Sequence, residues 1–201
     1  MARTTLRLLV ASVLLWLAVA GCTGAVASEW QAGAYRFAPE PTTNSGDITN
    51  AEICPKGEYL VGYTGRQGEW IDRIGIRCAP ILASGAMGKP DGNKGSGFGG
   101  GGGGPVTSDC RAGLINAVHF QVTADTRMVA VVVSDCVDPL SGVRVGGVAL
   151  TGHGEPGSFK QNCPADMVAT GLGVHWGKDV NAIGLICDPL VIPAPPPQAA
   201  G

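Results

Sequence analysis

Between residues 54 and 190, runs of strand-forming side chains alternate with turn residues. Tyr59-Leu60-Val61-Gly62-Tyr63 is followed by Gly65-Arg66-Gln67-Gly68, and an extended pattern resumes from Trp70 to Arg77. This order predicts a β-hairpin, because β-branched and aromatic residues fit a pleated surface while glycine fits the turn. Strand glycines interrupt the alternation. The same pattern then returns: Cys54-Pro55 through Cys78-Ala79-Pro80-Ile81 aligns without a gap on Cys163-Pro164 through Cys187-Asp188-Pro189-Leu190. Gly62 matches Gly171, Gly68 matches Gly177, and Ile74-Gly75 matches Ile183-Gly184, with Asp72 opposite Asn181. A middle copy keeps Cys110, Gly113, Cys136 and Pro139-Leu140, but Thr126 to Ala130 has lost the glycine and acid of the central turn.

The cysteines give the period. First members of each pair stand at 54, 110 and 163, and second members at 78, 136 and 187, a repeat near 54 residues seen three times. Units of this kind cannot bury a face alone, so three must share one core. Ala34-Tyr35-Arg36-Phe37 and Val143-Arg144-Val145, upstream of the outer hairpins, predict a further strand per copy. The fold class is all-β. Spacings within pairs are 24, 26 and 24 residues, with the hairpin turn midway. An antiparallel hairpin then brings both cysteines onto neighbouring strands, near the ~5.5 Å Cα separation a disulfide needs. The expected bridges are Cys54–Cys78, Cys110–Cys136 and Cys163–Cys187. No Cys-x-x-Cys pair suggests zinc, and neither metal nor cofactor is expected.

The ends have another composition. Arg3 and Arg7 precede an apolar run from Leu8 to Ala20, which reads as a secretory signal over residues 1–21 and is short for a membrane span. Val19-Ala20-Gly21-Cys22 resembles a bacterial lipobox, which makes Cys22 an acylated N-terminus and its lipid the one membrane contact. Cleavage after Ala27 would instead release a secreted protein. A linker (22–29), a three-repeat domain (30–190, divided at 83 and 140) and a proline-rich tail (191–201) follow. Within the second repeat, Ser84 to Pro105 holds six consecutive glycines, Gly99 to Gly104, and reads as a mobile loop.

Charge narrows the partners. Losing Arg3 and Arg7 leaves twelve basic against sixteen acidic residues, a net charge of −4 with no basic cluster. Nucleic acid, which needs a Lys/Arg stripe, is excluded as a partner. His119, His153 and His175 sit in no nucleophile or metal motif, with His175 in the third hairpin turn, and nothing pairs Asp72 or Asp179 as a glycosidase would require. Catalysis is not expected.

The segment Gly65-Arg66-Gln67-Gly68-Glu69-Trp70-Ile71-Asp72-Arg73-Ile74-Gly75 resembles jacalin-type lectins, which carry a Gly-x-x-x-Asp turn followed by an Ile-Gly strand. The threefold repeat with a cysteine after each such strand also resembles the vitelline membrane outer layer protein. The resemblance touches two copies and about a third of the chain. It implies a β-prism, three antiparallel sheets about a pseudo-threefold axis. It further implies a sugar held by Gly68, the Glu69 and Trp70 amides and the Asp72 carboxylate, with a weaker second site at Gly177, Lys178, Asp179 and Asn181. An ionised acceptor makes the stronger hydrogen bonds to sugar hydroxyls, and an indole can stack on a sugar ring. The vitelline likeness points instead to an exported envelope or matrix component whose Asp72 merely bonds turn amides. That structural reading leads, with glycan binding as its alternative. The partners are then envelope components or glycans.

Overall fold

The computed structural model describes residues 48–90, 97–123, 128–152 and 158–194, all within one unit, Gln31–Gly201. The leader, Cys22, the linker, Ala34–Phe37, Thr126, His153 and the tail beyond residue 194 lie outside the described residues. Among the described residues the strands are β1 (Ile48–Ile53), β2 (Glu58–Gln67), β3 (Ile71–Pro80), β4 (Phe98–Gly99), β5 (Gly104–Asp109), β6 (Leu114–Val122), β7 (Val129–Val137), β8 (Arg144–Thr151), β9 (Ser158–Asn162), β10 (Met167–Trp176) and β11 (Val180–Pro189). They form three antiparallel sheets ordered β1-β10-β11, β4-β3-β2-β5 and β8-β7-β6-β9. This is the β-prism that the resemblance implies.

A long hairpin centres each sheet: β2–β3, β6–β7 and β10–β11. Their inner faces supply the shared core, with Leu60, Tyr63, Ile74, Leu114, Phe120, Leu172, Ile183 and Leu185 all at 1% exposure or less. Each such aliphatic side chain stabilises the fold by roughly 1.5–3 kcal/mol on leaving water. One polar pair crosses this core. The Tyr63 hydroxyl lies 2.7 Å from Ser134 Oγ, joining two sheets. Burial pushes the phenol well above its ordinary range, and the Ser134 bond offsets this only in part. Tyr63 therefore remains a neutral hydrogen-bonding group.

The hairpins do not own their outer strands. β5, which ends just before Cys110, pairs with β2; β9, before Cys163, pairs with β6; β1, before Cys54, pairs with β10. Every repeat thus lends its first strand to the preceding hairpin, and β1 closes the circle onto the last. A shared bulge permits this. Val61, Asn116 and Thr170 are skipped in their hairpin registers. Their carbonyls accept the amides of Cys110, Cys163 and Cys54 at 2.7, 2.8 and 2.7 Å. A residue displaced from its own ladder is free to satisfy a neighbour's backbone.

The disulfides join the pairs selected by the repeat spacing, with Cα separations of 5.7, 5.8 and 5.7 Å. Their setting differs from the expected one. Cys54 and Cys78 are not neighbours on one hairpin, whose ladder begins only at Glu58 opposite Pro80. Cys54 directly follows β1, the edge strand of one sheet, and Cys78 lies in the hairpin of the next. The three bridges consequently tie the sheets in a ring. Val143–Val145 also differs: β8 starts at Arg144 and pairs with β7 of the middle hairpin, because alternate residues Val148 and Leu150 turn inward there.

Replacing Cys110 and Cys136 together by alanine should cost about 3 kcal/mol, since each bridge closes a loop of some two dozen residues in the unfolded chain. Guanidinium unfolding checks this. An unchanged midpoint would mean that the ring adds nothing to the hydrogen bonds it reinforces.

Candidate functional site

Opposite the cysteine end, the hairpins β2–β3 and β10–β11 close with three-residue turns. The Gly68 amide donates to the Trp70 carbonyl at 2.9 Å, and Gly177 donates to Asp179 at 3.1 Å. The first turn is shorter than expected, since β2 runs on to Gln67. Gly65, read as part of the turn, is a strand residue whose missing Cβ leaves room for the Arg73 carbonyl. Just after each turn lies a second bulge, at Asp72, Ala130 and Asn181 in the three hairpins. A bulge re-aims one side chain. In the middle hairpin that side chain is a buried alanine, and in the first it is an aspartate only 8% exposed.

The glycine run folds over this aspartate. Phe98–Gly99 pairs with Ile74 and Arg73 along one flank of the hairpin, and Gly104 pairs with Gln67 along the other. Between them, Gly100 donates its amide to the Asp72 carbonyl at 2.7 Å. Arg66 donates through Nε to Gly102 O at 2.6 Å and through Nη2 to Gly103 O at 2.5 Å. Arg73 donates to Gly100 O at 3.0 Å and Gly99 O at 3.3 Å. The segment expected to be mobile is therefore fastened from both sides from Gly97 to Gly104. Glycine is required for two reasons. Gly97, Gly99 and Gly103 hold φ of 65°, 125° and 58°. A Cβ on Gly102 would strike Asp72 Oδ1, and one on Gly103 would lie 2.6 Å from Oδ2.

The two candidate turns meet at this end. Gly100 lies between them, with no room for a Cβ beside the Lys178 carbonyl and the Asp72 carbonyl 4.0 Å from where one would stand. Phe98, from the loop, stacks on Trp176 of β10 with ring centroids 6.3 Å apart. Burial and the Asp72 charge hold the Asp179 carboxyl above its usual range, with Lys178 opposing. Gly68 and Glu69 are exposed and Trp70 is half-buried; Lys178 is exposed, while Gly177, Asp179 and Asn181 are half-buried. Among the described residues no donor reaches the carboxylates of Asp72 or Asp179. The turn aspartate is thus not consumed by backbone amides.

Other candidates fall elsewhere. His175 is a strand residue of β10 and not part of the turn; it is buried, with Nδ1 2.9 Å from Thr49 Oγ1. The pleat puts it on the face away from solvent, which sequence alternation blurred by glycine concealed. His119 sits 3.4 Å from Asp135, which also receives Arg144. No group of three potential metal ligands occurs among the described residues. Clefts of about 530 and 450 Å³ open at the cysteine end, away from the acidic turns. Phe98, Arg66, Arg73 and the loop glycines were not identified from sequence as parts of this site. The six-glycine run was their one visible sign.

No family model matches the chain, and no curated protein matches it. Solved structures do. A prostate-specific WGA16 glycoprotein lectin superposes with a TM-score of 0.50 at 12% identity, over 73% of this chain and 94% of that one. Calystegia sepium agglutinin gives 0.46 at 13% identity, over 81% and 100%. A Malaysian banana lectin gives 0.44 at 18% identity, over 72% and 100%. The likeness to the WGA16 lectin establishes a shared β-prism lectin fold.

Gly103→Ala should destabilise the protein by roughly 1–3 kcal/mol, because a side chain at positive φ is strained and this one would also meet Asp72. Gly101→Ala, where a Cβ would meet nothing within 4 Å, should stay within about 0.5 kcal/mol of the parent. Thermal melts of both variants test whether the loop is held as described.

Proposed function

We propose that this chain is an exported carbohydrate-binding module, with its site at the Gly68–Asp72 turn beneath the glycine loop. The observation that carries the reading is the Asp72 carboxylate. It is 8% exposed, placed by a bulge, and bonded to no donor among the described residues. Its oxygens are not among the buried atoms sealed off without a partner, so their acceptor capacity is open to a ligand that supplies donors. Sugar hydroxyls are such donors, and the exposed Glu69 and half-buried Trp70 border the same turn. The lectin fold supports this reading over a purely structural one, in which Asp72 would be bonded within its own turn. Binding rather than catalysis is the role proposed. The apolar leader and three disulfides, which persist in oxidising compartments, support the export part of the reading.

A glycan array on the oxidised protein, run beside Asp72→Ala, tests the site. Sugar retention lost in the variant is the expected result, with the melting temperature unchanged or raised, because no bond is removed. A variant that melts lower and an array silent for both proteins would return Asp72 to a structural role. Mass spectrometry of the mature N-terminus addresses export: an acylated Cys22 is expected, while a free Ser28 would mean secretion.

A further inference from the structure

The cysteine end of the prism, opposite the acidic turns, carries a threefold feature of its own. Four residues after the second cysteine of each repeat stands a large aliphatic side chain: Leu82, Leu140 and Val191. They are 47%, 62% and 67% exposed, while the residue before each, Ile81, Pro139 or Leu190, turns at least partly inward. Their backbone is fixed. The Leu82 amide donates to Ala86 O at 2.8 Å, the Leu140 amide to Asp138 Oδ1 at 3.1 Å, and the Val191 amide to the Tyr59 hydroxyl at 2.9 Å. Of the eight large apolar side chains well exposed among the described residues, only Ile48 lies at the turn end. The apolar surface is continuous. Leu140 packs on Gly85 of the Leu82 loop, Leu140 and Leu190 line the cleft of about 530 Å³, and Ile53 and Val191 line that of about 450 Å³.

Single exposed aliphatic residues are ordinary, but one at the same solvent-facing position of every repeat, on fixed backbone, marks an interaction surface. Charge selects the partner. Lys56, Lys89 and Arg111 are exposed at this end, against Asp166 as its exposed acid. Asp138 and Asp188 are engaged by Ser141 and Thr170, and Glu58 is half-buried. A second copy would set these cations against their own counterparts, whereas anionic headgroups bring the opposite charge above an apolar interior. We propose that the cysteine end docks on an anionic lipid bilayer. Leu82, Leu140 and Val191 enter the acyl boundary, and Lys56, Lys89 and Arg111 meet the headgroups. A lipid on Cys22 would keep that bilayer in reach, since residues 23–47 span up to about 80 Å when extended. The Gly68 turn, at the far end of the ten-residue β2, then stands about 30 Å from the lipid and faces away from it.

The test uses the oxidised protein from Ser28 onward, which keeps the whole unit Gln31–Gly201 and carries neither leader nor lipid. It is sedimented with vesicles of phosphatidylethanolamine and phosphatidylglycerol, beside vesicles of phosphatidylcholine alone. Retention on the anionic vesicles is expected, and it should weaken as salt is added. Leu82→Ser, Leu140→Ser and Val191→Ser combined should lower the partition coefficient roughly a hundredfold. The melting temperature should not change, because the side chains removed are exposed and the backbone bonds stay. Ile48→Ser, at the turn end, should partition like the parent. Lys56→Gln, Lys89→Gln and Arg111→Gln combined read the headgroup contact separately and should remove the preference for anionic vesicles. A parent retained by neither vesicle or by both alike overturns the proposal. So does a triple-serine protein that partitions like the parent, an equal loss in Ile48→Ser, or an anionic preference unchanged by the glutamines. A parent that is dimeric without vesicles, and monomeric once the three serines are present, also overturns it by assigning this end to contact between copies.

Discussion

Every hairpin of this prism carries one displaced residue near each end, and both the architecture and the site depend on those displacements. Near the cysteine end, Val61, Asn116 and Thr170 step out of their ladders and offer carbonyls to the cysteine amides that follow other strands. A buried peptide group must find a partner, so this single satisfied bond decides which strand joins which sheet. Each disulfide then fixes the junction covalently. Near the turns, the second displacement sets Asp72, Ala130 and Asn181 on equivalent positions. One geometric device, used twice per repeat, therefore builds the ring at one end and aims a carboxylate at the other.

The glycine loop shows how a sequence with almost no side chains can still be ordered. Its conformational freedom makes it costly to hold, and six glycines in a row pay the highest entropy of any segment. Arg66 and Arg73 meet that cost with paired donors from the two flanking strands. Because the loop is secured when the protein folds, it need not be ordered again by a ligand, which spares affinity.

Repeats, hairpins, cysteine pairs and the Gly-x-x-x-Asp turn were all legible in the sequence, since each leaves a mark at fixed spacing. Bulges were not. Val61 and Asp72 look like ordinary strand residues, and only the partner strand shows that each is one too many. Strand exchange was hidden for the same reason: β5 and β9 lie next to the hairpins that follow them in sequence, yet pair with the ones before. The meeting of the Gly68 and Gly177 turns also escaped the sequence, because gap-free alignment of two repeats says that they are alike and not that they are adjacent. Phe98 and Trp176 come together only through that adjacency.

The pairing of β1 with β10 bears on the order in which the protein is made. Thr49 and His175, bonded across these strands, are 126 residues apart. During synthesis the first strand emerges long before its partner β10, and its backbone groups wait in water while the first two hairpins can already form. Contacts of such long range are slow to make, since the chain must lose loop entropy before they reward it. The last repeat is therefore the latch of the fold. A ribosome that stops short of β10 leaves a prism with one open corner, exposing the inner faces of the other two sheets to whatever apolar surface is near.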